Sequence, residues 1–220
     1  MAGALAGALA EATGRQEREN PVLPTTAGPA GNAVLTAWTG LVLLVLSVAE
    51  LLTLFNVRGL ITWHIAIGAL LVPPALMKTA TTSWRMTRYY LGSEPYTRAG
   101  PPPTLFRLLG PLVVVSTLGL LSSGVALVLI GQQTSQDTLV SLAGFRINWL
   151  AIHQGAFAVW ATATGIHLVG RIVPAVRIVG RTATSARLPG GTTRLILSGV
   201  VVAVAIGLAI LLVHADTGWG

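Results

Sequence analysis

The sequence predicts an all-α integral membrane protein of five transmembrane helices, and three observations carry that prediction. Of its 220 residues, 53% are hydrophobic and 10% charged, with a mean hydropathy of +0.73, whereas water-soluble domains usually carry about 25% charge. The apolar residues gather into runs at about 33–55, 60–84, 106–130, 149–171 and 195–213, each near the roughly 20 residues that cross hydrocarbon as a helix. These runs are longer and more continuous than the alternating segments of about ten residues that build an outer-membrane barrel. The third observation is where the charges fall.

Arg15 and Arg18 precede the first run, Arg85, Arg88, Arg98 and Arg107 lie between the second and third, and Arg171, Arg177, Arg181, Arg187 and Arg194 lie between the fourth and fifth. Only Arg58 and Arg146 occupy the other two loops, and Lys78 lies inside a run. Basic loops stay on the cytoplasmic side, so the expected topology has a cytoplasmic N-terminus and, after five crossings of the cytoplasmic membrane, an outer C-terminus. The net charge of +7 is then accounted for by an anionic membrane surface and implies no nucleic acid.

In chain order, residues 1–32 lack the basic start of a signal peptide, and the polar, Pro/Gly-rich GRQERENPVLPTTAGPAGN reads as a disordered cytoplasmic tail. Residues 33–214 form one transmembrane domain. The first span carries one acid, Glu50, near its outer end. An acid at that depth needs a partner or water, which Arg58 at the interface would supply. The alternative is that Glu50 accepts a proton or hydrogen-bonds His64, whose depth it shares. The second span enters through TWH and is interrupted by Pro73 and Pro74, which remove backbone hydrogen bonds and should kink it. After it, Trp84, Tyr89 and Tyr90 suit a headgroup belt, and Pro101 to Pro103 suit a stiff spacer. The third span contains Gly110, Gly119 and Gly124, small residues of the kind that permit close helix approach. The LVSLAGF stretch after it is read as a short interfacial helix. Beyond the fourth span the helix should continue as far as Pro174, and residues 195–213 give a uniformly apolar fifth span packing outside the other four. His214 closes it at the interface, and 215–220 form an outer tail. The sequence shows no internal repeat and no nucleotide-binding glycine motif.

The chemistry concentrates on the fourth span, WLAIHQGAFAVWATATGIHLVGR, which holds His153 and His167 fourteen residues apart. In a helix that separation is about 1400° of rotation and about 21 Å of rise, so both imidazoles lie on one stripe at two depths. Neutral imidazole is a good iron ligand. An antiparallel second span brings His64 to the outer depth of His153, where two imidazoles can hold one iron from opposite sides. Lys78, fourteen residues after His64, and its neighbour Met77 lie at the depth of His167, and either could supply a sixth ligand there. Alternatively, Lys78 remains charged and reaches the cytoplasmic interface. Gly110 and Gly124 repeat the same fourteen-residue interval and would let two flat macrocycles lie against bare backbone. With no cysteine in the chain, any such haem is held non-covalently.

This arrangement resembles the di-haem b-type membrane cytochromes, in which one helix carries two histidines about fourteen residues apart and an antiparallel helix opposes them. More specifically, WHIAIGALLVPPALMKTATTSWRMTRYYLGSEPYTRAGPPP followed by INWLAIHQGAFAVWATATGIHLVG looks like a group of small actinobacterial membrane proteins with cytochrome b-like spans. The likeness covers about residues 33–177. It implies a four-helix haem-binding bundle, ligand roles for His64, His153 and His167, and one or two haem b groups. The sequence departs from the family at the inner position of the second span, where Lys78 stands in place of the usual histidine. The expected function is an electron-transfer subunit of an oxidoreductase, relaying electrons between a quinone or quinol, or a redox partner subunit, and an acceptor. The alternative is a haem-free small transporter or anchoring subunit whose histidines carry protons or hydrogen bonds.

Overall fold

The computed structural model of the chain describes residues 2–13, 29–98, 104–142, 144–184, 190–216 and 218–219. Its elements are the helices α1 (Ala2–Ala12), α2 (Pro29–Thr53), α3 (Ile61–Tyr90), α4 (Glu94–Arg98) and α5 (Thr104–Gln136), the strands β1 (Val140–Leu142) and β2 (Phe145–Ile147), and the helices α6 (Trp149–Thr184) and α7 (Gly191–Ala215). The architecture is all-α, and α2, α3, α5, α6 and α7 are long and apolar enough to cross a bilayer, in a multi-pass arrangement. Large apolar side chains point outward along them, with Leu108 75%, Val115 68% and Leu211 67% exposed. Such extensive apolar surface is untenable in water and places the helices in lipid.

The helices extend beyond the expected spans, because the turns flanking an apolar run can also be helical. Thus α3 runs to Tyr90 and passes through Pro73 and Pro74 as one helix, with both prolines buried. Likewise α6 passes Pro174 and reaches Thr184. A proline inside a helix removes only its own amide donor, and Ile178, one turn beyond, packs against Ala30 and Val34 of α2. In α5, Gly131 adopts φ +78°, a left-handed geometry open chiefly to glycine, and breaks the helix near its end. The indole Nε1 of Trp219 donates to the carbonyl of Leu127 at 3.2 Å, tying the C-terminal segment to α5 just before this break.

Two other expectations change. Residues 2–12, expected to be disordered, form α1, which packs against α5 and α6 and buries Ala12. Its sequence AGALAGALAEA is mostly alanine and leucine, the best helix formers. The stretch expected to be an interfacial helix is instead an antiparallel hairpin that pairs Val140 with Ile147 and Leu142 with Phe145. Alternation of β-branched or aromatic residues with polar ones favours strands, and Gly144 supplies the positive φ (+85°) of the turn. The GRQEREN stretch from Gly14 onward and the Pro101–103 spacer lie outside the described residues. The loop before that spacer contains the short α4, whose buried Tyr96 stacks with Arg88, the guanidinium carbon lying 6.0 Å from its ring centre.

Contacts between helices define a ring. Helix α2 packs on α3, α3 on α5, α5 on α6 and α6 on α2, so α3 and α6 stand diagonally opposed. Packing is more extensive within the pairs α2/α3 and α5/α6 than across the seams between them. Outside this ring, α7 packs chiefly on α3, through a cluster of Ile65, Ala69, Val128, Ala209 and Leu212. Alanines at such contacts allow close backbone approach, the main source of packing energy where lipid removes the hydrophobic drive. A polar ladder also joins α2 to α3. Asn32 donates to the Thr81 carbonyl at 3.0 Å, the Thr36 and Thr81 hydroxyls bond at 3.0 Å, and Lys78 Nζ donates to the Thr36 carbonyl at 3.1 Å.

Candidate functional site

The diagonal pair of helices brings His64 of α3 and His153 of α6 together. Their ring centres are 6.4 Å apart and their planes are nearly perpendicular, at 89°. Both lie near the end of the bundle that carries the α2–α3 turn and the hairpin. A tight turn of 3₁₀ helix, Leu54–Asn56, reverses the chain between α2 and α3 and so holds Glu50 and Thr53 beside His64.

The hydrogen bonds allow an assignment of which ring nitrogen carries the proton. Thr53 Oγ1 donates its only proton to the Glu50 carbonyl at 2.6 Å, because a carbonyl can only accept. Its contact with His64 Nδ1 at 2.9 Å therefore needs the proton on the histidine. Glu50 Oε1, 3.0 Å from the same Nδ1, accepts from it as well. The other ring repeats this logic: Ser123 Oγ donates to the Leu120 carbonyl at 2.9 Å, so it accepts from His153 Nδ1 at 3.0 Å. With the two hydroxyl protons on these backbone carbonyls, both imidazoles are assigned as Nδ1–H tautomers, which would leave a lone pair on each Nε2.

That donor set can be tested against a metal centre. A metal–imidazole bond is about 2.0–2.1 Å long and the nitrogen lies about 1.1 Å from its ring centre, so two imidazoles on opposite sides of one ion stand about 6.3 Å apart. The observed separation of 6.4 Å is compatible with that value and is equally that of an ordinary edge-to-face ring contact, such as Phe106 with His167 at 6.2 Å. Among the described residues, no group of three or more His, Cys, Asp or Glu side chains could hold a metal ion. On α5, Gly124 lets the His153 ring lie close against the helix. A Cβ at Gly124 would stand 3.2 Å from His153 Cε1. On the α3–α5 seam, an apolar recess of about 560 Å³ lined by Val72, Leu76, Val115 and Gly119 opens about two helical turns along α3 from His64.

Glu50 turns to His64 and leaves Arg58 unpaired with it, and its second oxygen, Oε2, is buried with no hydrogen-bond partner. The inner residues are arranged differently. Lys78 Nζ is committed to the Thr36 carbonyl and lies over Gly40, where a Cβ would come within 2.8 Å of it. His167 meets Phe106 edge to face at 6.2 Å, and its Nδ1 is buried without a hydrogen bond. Phe106 in turn packs tightly on Gly170, with the Arg171 guanidinium 4.8 Å from its ring centre. No hydrogen bond joins Lys78 to His167. Met77 is half-buried beside Lys78, and a Cβ at Gly110 would meet open space. His214 sits exposed in the last turn of α7, its Nδ1 2.8 Å from the Ile210 carbonyl. Sequence reasoning missed Thr53, Ser123, Phe106 and Gly40. The signals available were Thr53's position one turn after Glu50 and Ser123's adjacency to Gly124.

The class this geometry defines is a helical membrane bundle in which two half-buried histidines meet between opposed helices. The chain matches no protein family, no curated protein and no solved structure, so the functional reading rests on the site itself.

Proposed function

We propose that the protein is a b-type cytochrome of the cytoplasmic membrane that relays electrons between a quinol or a redox partner subunit and an acceptor. One observation carries this reading: His64 and His153 project from diagonally opposed helices with ring centres 6.4 Å apart, a separation that two imidazoles bound to one iron would also have. Haem b, when bound, supplies reversible one-electron chemistry. The chain's own residues would do the rest. His64 and His153 would hold the iron, Thr53 and Ser123 would orient the two imidazoles through their Nδ1 atoms, and Gly124 lets the His153 ring seat against α5. The surrounding apolar helices exclude water.

A second, inner haem on His167 would need Lys78 to leave the Thr36 carbonyl, or Met77 to turn inward, and the outer pair carries the proposal without it. The half-buried Glu50–His64 contact favours one other reading, a haem-free transporter or anchoring subunit that uses this pair for a proton. Absorbance spectroscopy of the purified protein decides between them. A Soret band and a reduced-state alpha band at stoichiometric haem, both abolished in His64→Ala and His153→Ala, are expected. A colourless, folded preparation that takes up no added haem refutes the cytochrome reading.

A further inference from the structure

The hairpin β1–β2 is the part of the molecule that the bundle supports least. Its strands pack chiefly on each other, and among the described residues neither makes an extensive contact with any helix. An isolated two-stranded hairpin is marginally stable in water and needs a further surface to cover one face. The register supplies such a face. Val140 pairs with Ile147 and Ser141 with Arg146. Directly paired residues share a side, and neighbours along a strand alternate, so Val140, Phe145 and Ile147 line one side and Ser141 and Arg146 the other. The apolar side is open, with Phe145 75% and Val140 56% exposed.

We propose that this hairpin is a membrane-interface anchor, laid with Val140, Phe145 and Ile147 in the boundary between lipid headgroups and acyl chains and with Ser141 and Arg146 turned toward headgroups and water. The partner of this surface is the phospholipid bilayer itself, and the inference is independent of any haem.

Three observations select lipid as that partner. The first is level. Phe145 precedes Trp149, the first residue of α6, by only four residues, so along the chain it lies at most about 14 Å away. Asn148 fixes the base of the hairpin at the helix ends: its Nδ2 donates to the Gln136 carbonyl of α5 at 3.3 Å, and its Oδ1 accepts from the Ala151 amide of α6 at 2.8 Å. Both helices are apolar enough to cross a bilayer, so the open side of the hairpin continues their lipid-facing surface. Secondly, other exposed rings mark the same end of the bundle, Phe55 (88%) in the turn between α2 and α3 and Trp63 in the first turn of α3. Aromatic side chains collect at membrane–water boundaries. Thirdly, the outer edges of a two-stranded ribbon leave amides and carbonyls unpaired. Hydrocarbon does not tolerate such groups, whereas the hydrated headgroup zone does, and this stops the hairpin at the interface.

The chain contains no cysteine, so one introduced thiol can be labelled specifically. Phe145→Cys, Val140→Cys, Ser141→Cys and Arg146→Cys, each in the full chain and each carrying a nitroxide, are reconstituted in nanodiscs of phosphatidylcholine and phosphatidylglycerol. Power-saturation EPR then compares collisions with oxygen, which concentrates in lipid, and with a nickel chelate, which stays in water. The oxygen-to-nickel ratio should be several-fold higher at Phe145→Cys and Val140→Cys than at Ser141→Cys and Arg146→Cys, with the first pair about 5–10 Å into the headgroup–acyl boundary. Two positions on each side keep the test decisive if one variant fails to fold, which size-exclusion chromatography reports. Equal ratios on the two sides, or a ratio favouring nickel at Phe145→Cys and Val140→Cys, overturn the proposal. Labels at those two positions that are immobilised and shielded from both reagents put a protein partner or a second copy of the chain on this face, and overturn it equally.

Discussion

Replacing Ser123 by alanine tests the geometry of the site without assuming any cofactor. The substitution removes the oxygen that accepts from His153 Nδ1 at 3.0 Å and leaves that N–H inside the bundle, where Ser123 is 6% exposed. A buried donor left unpaired costs about 1–3 kcal/mol in general. Hydrogen bonds between membrane helices measure smaller, averaging about 0.6 and reaching about 1.7 kcal/mol, because the unfolded chain in lipid also finds partners. The expected loss for Ser123→Ala is therefore about 1 kcal/mol, a fivefold change in the folding equilibrium. The assay is reversible unfolding in mixed detergent micelles, run as a double-mutant cycle with His153→Phe. In the His153→Phe background the serine has no imidazole to serve, so Ser123→Ala should cost less than about 0.3 kcal/mol there. Equal costs in the two backgrounds would refute the hydrogen bond, and with it the tautomer assigned to His153.

Three further outcomes follow from the packing. Gly170→Val places a branched side chain into the Phe106 ring and should destabilise by about 1–3 kcal/mol, whereas Gly165→Ala, with nothing within 4 Å of its added Cβ, should be neutral; thermal unfolding in detergent compares them. Lys78→Met removes a charge held at the Thr36 carbonyl, and because a buried ionic group replaced by an apolar one of similar volume is often neutral or stabilising, unfolding should shift by less than about 1 kcal/mol or toward greater stability. Haem content per chain in Lys78→Ala, Met77→Ala and His167→Ala should fall by the inner group alone if a second haem is held there; full wild-type content in all three removes the inner site.

What the sequence determined by itself is what depends on residue type and helical period. Five apolar runs suffice for the helices, because hydropathy and the need to satisfy backbone hydrogen bonds inside lipid are local properties of each run. The fourteen-residue interval between His153 and His167 likewise follows from the helical repeat. Element ends were less legible: the continuation of α6 past Pro174 depends on neighbours, Ile178 being seated on Ala30 and Val34 of a helix distant in sequence. The hairpin at Val140–Ile147 was locally encoded, through alternation and Gly144, but a short apolar segment beside a membrane reads equally well as a helix.

The tertiary structure alone decided which side chains meet. The depth of His64 and His153 was readable, but their 6.4 Å, perpendicular approach exists because α3 and α6 occupy opposite corners of the ring. Glu50 could have turned to Arg58, eight residues away; rotation of α2 against α3 turned it to His64 instead. Thr53 and Ser123 have no distinguishing sequence pattern, because a hydroxyl in a membrane helix usually bonds its own backbone, as both of these also do. Their second bond, to an imidazole on another helix, arises only when packing sets the two helices in register.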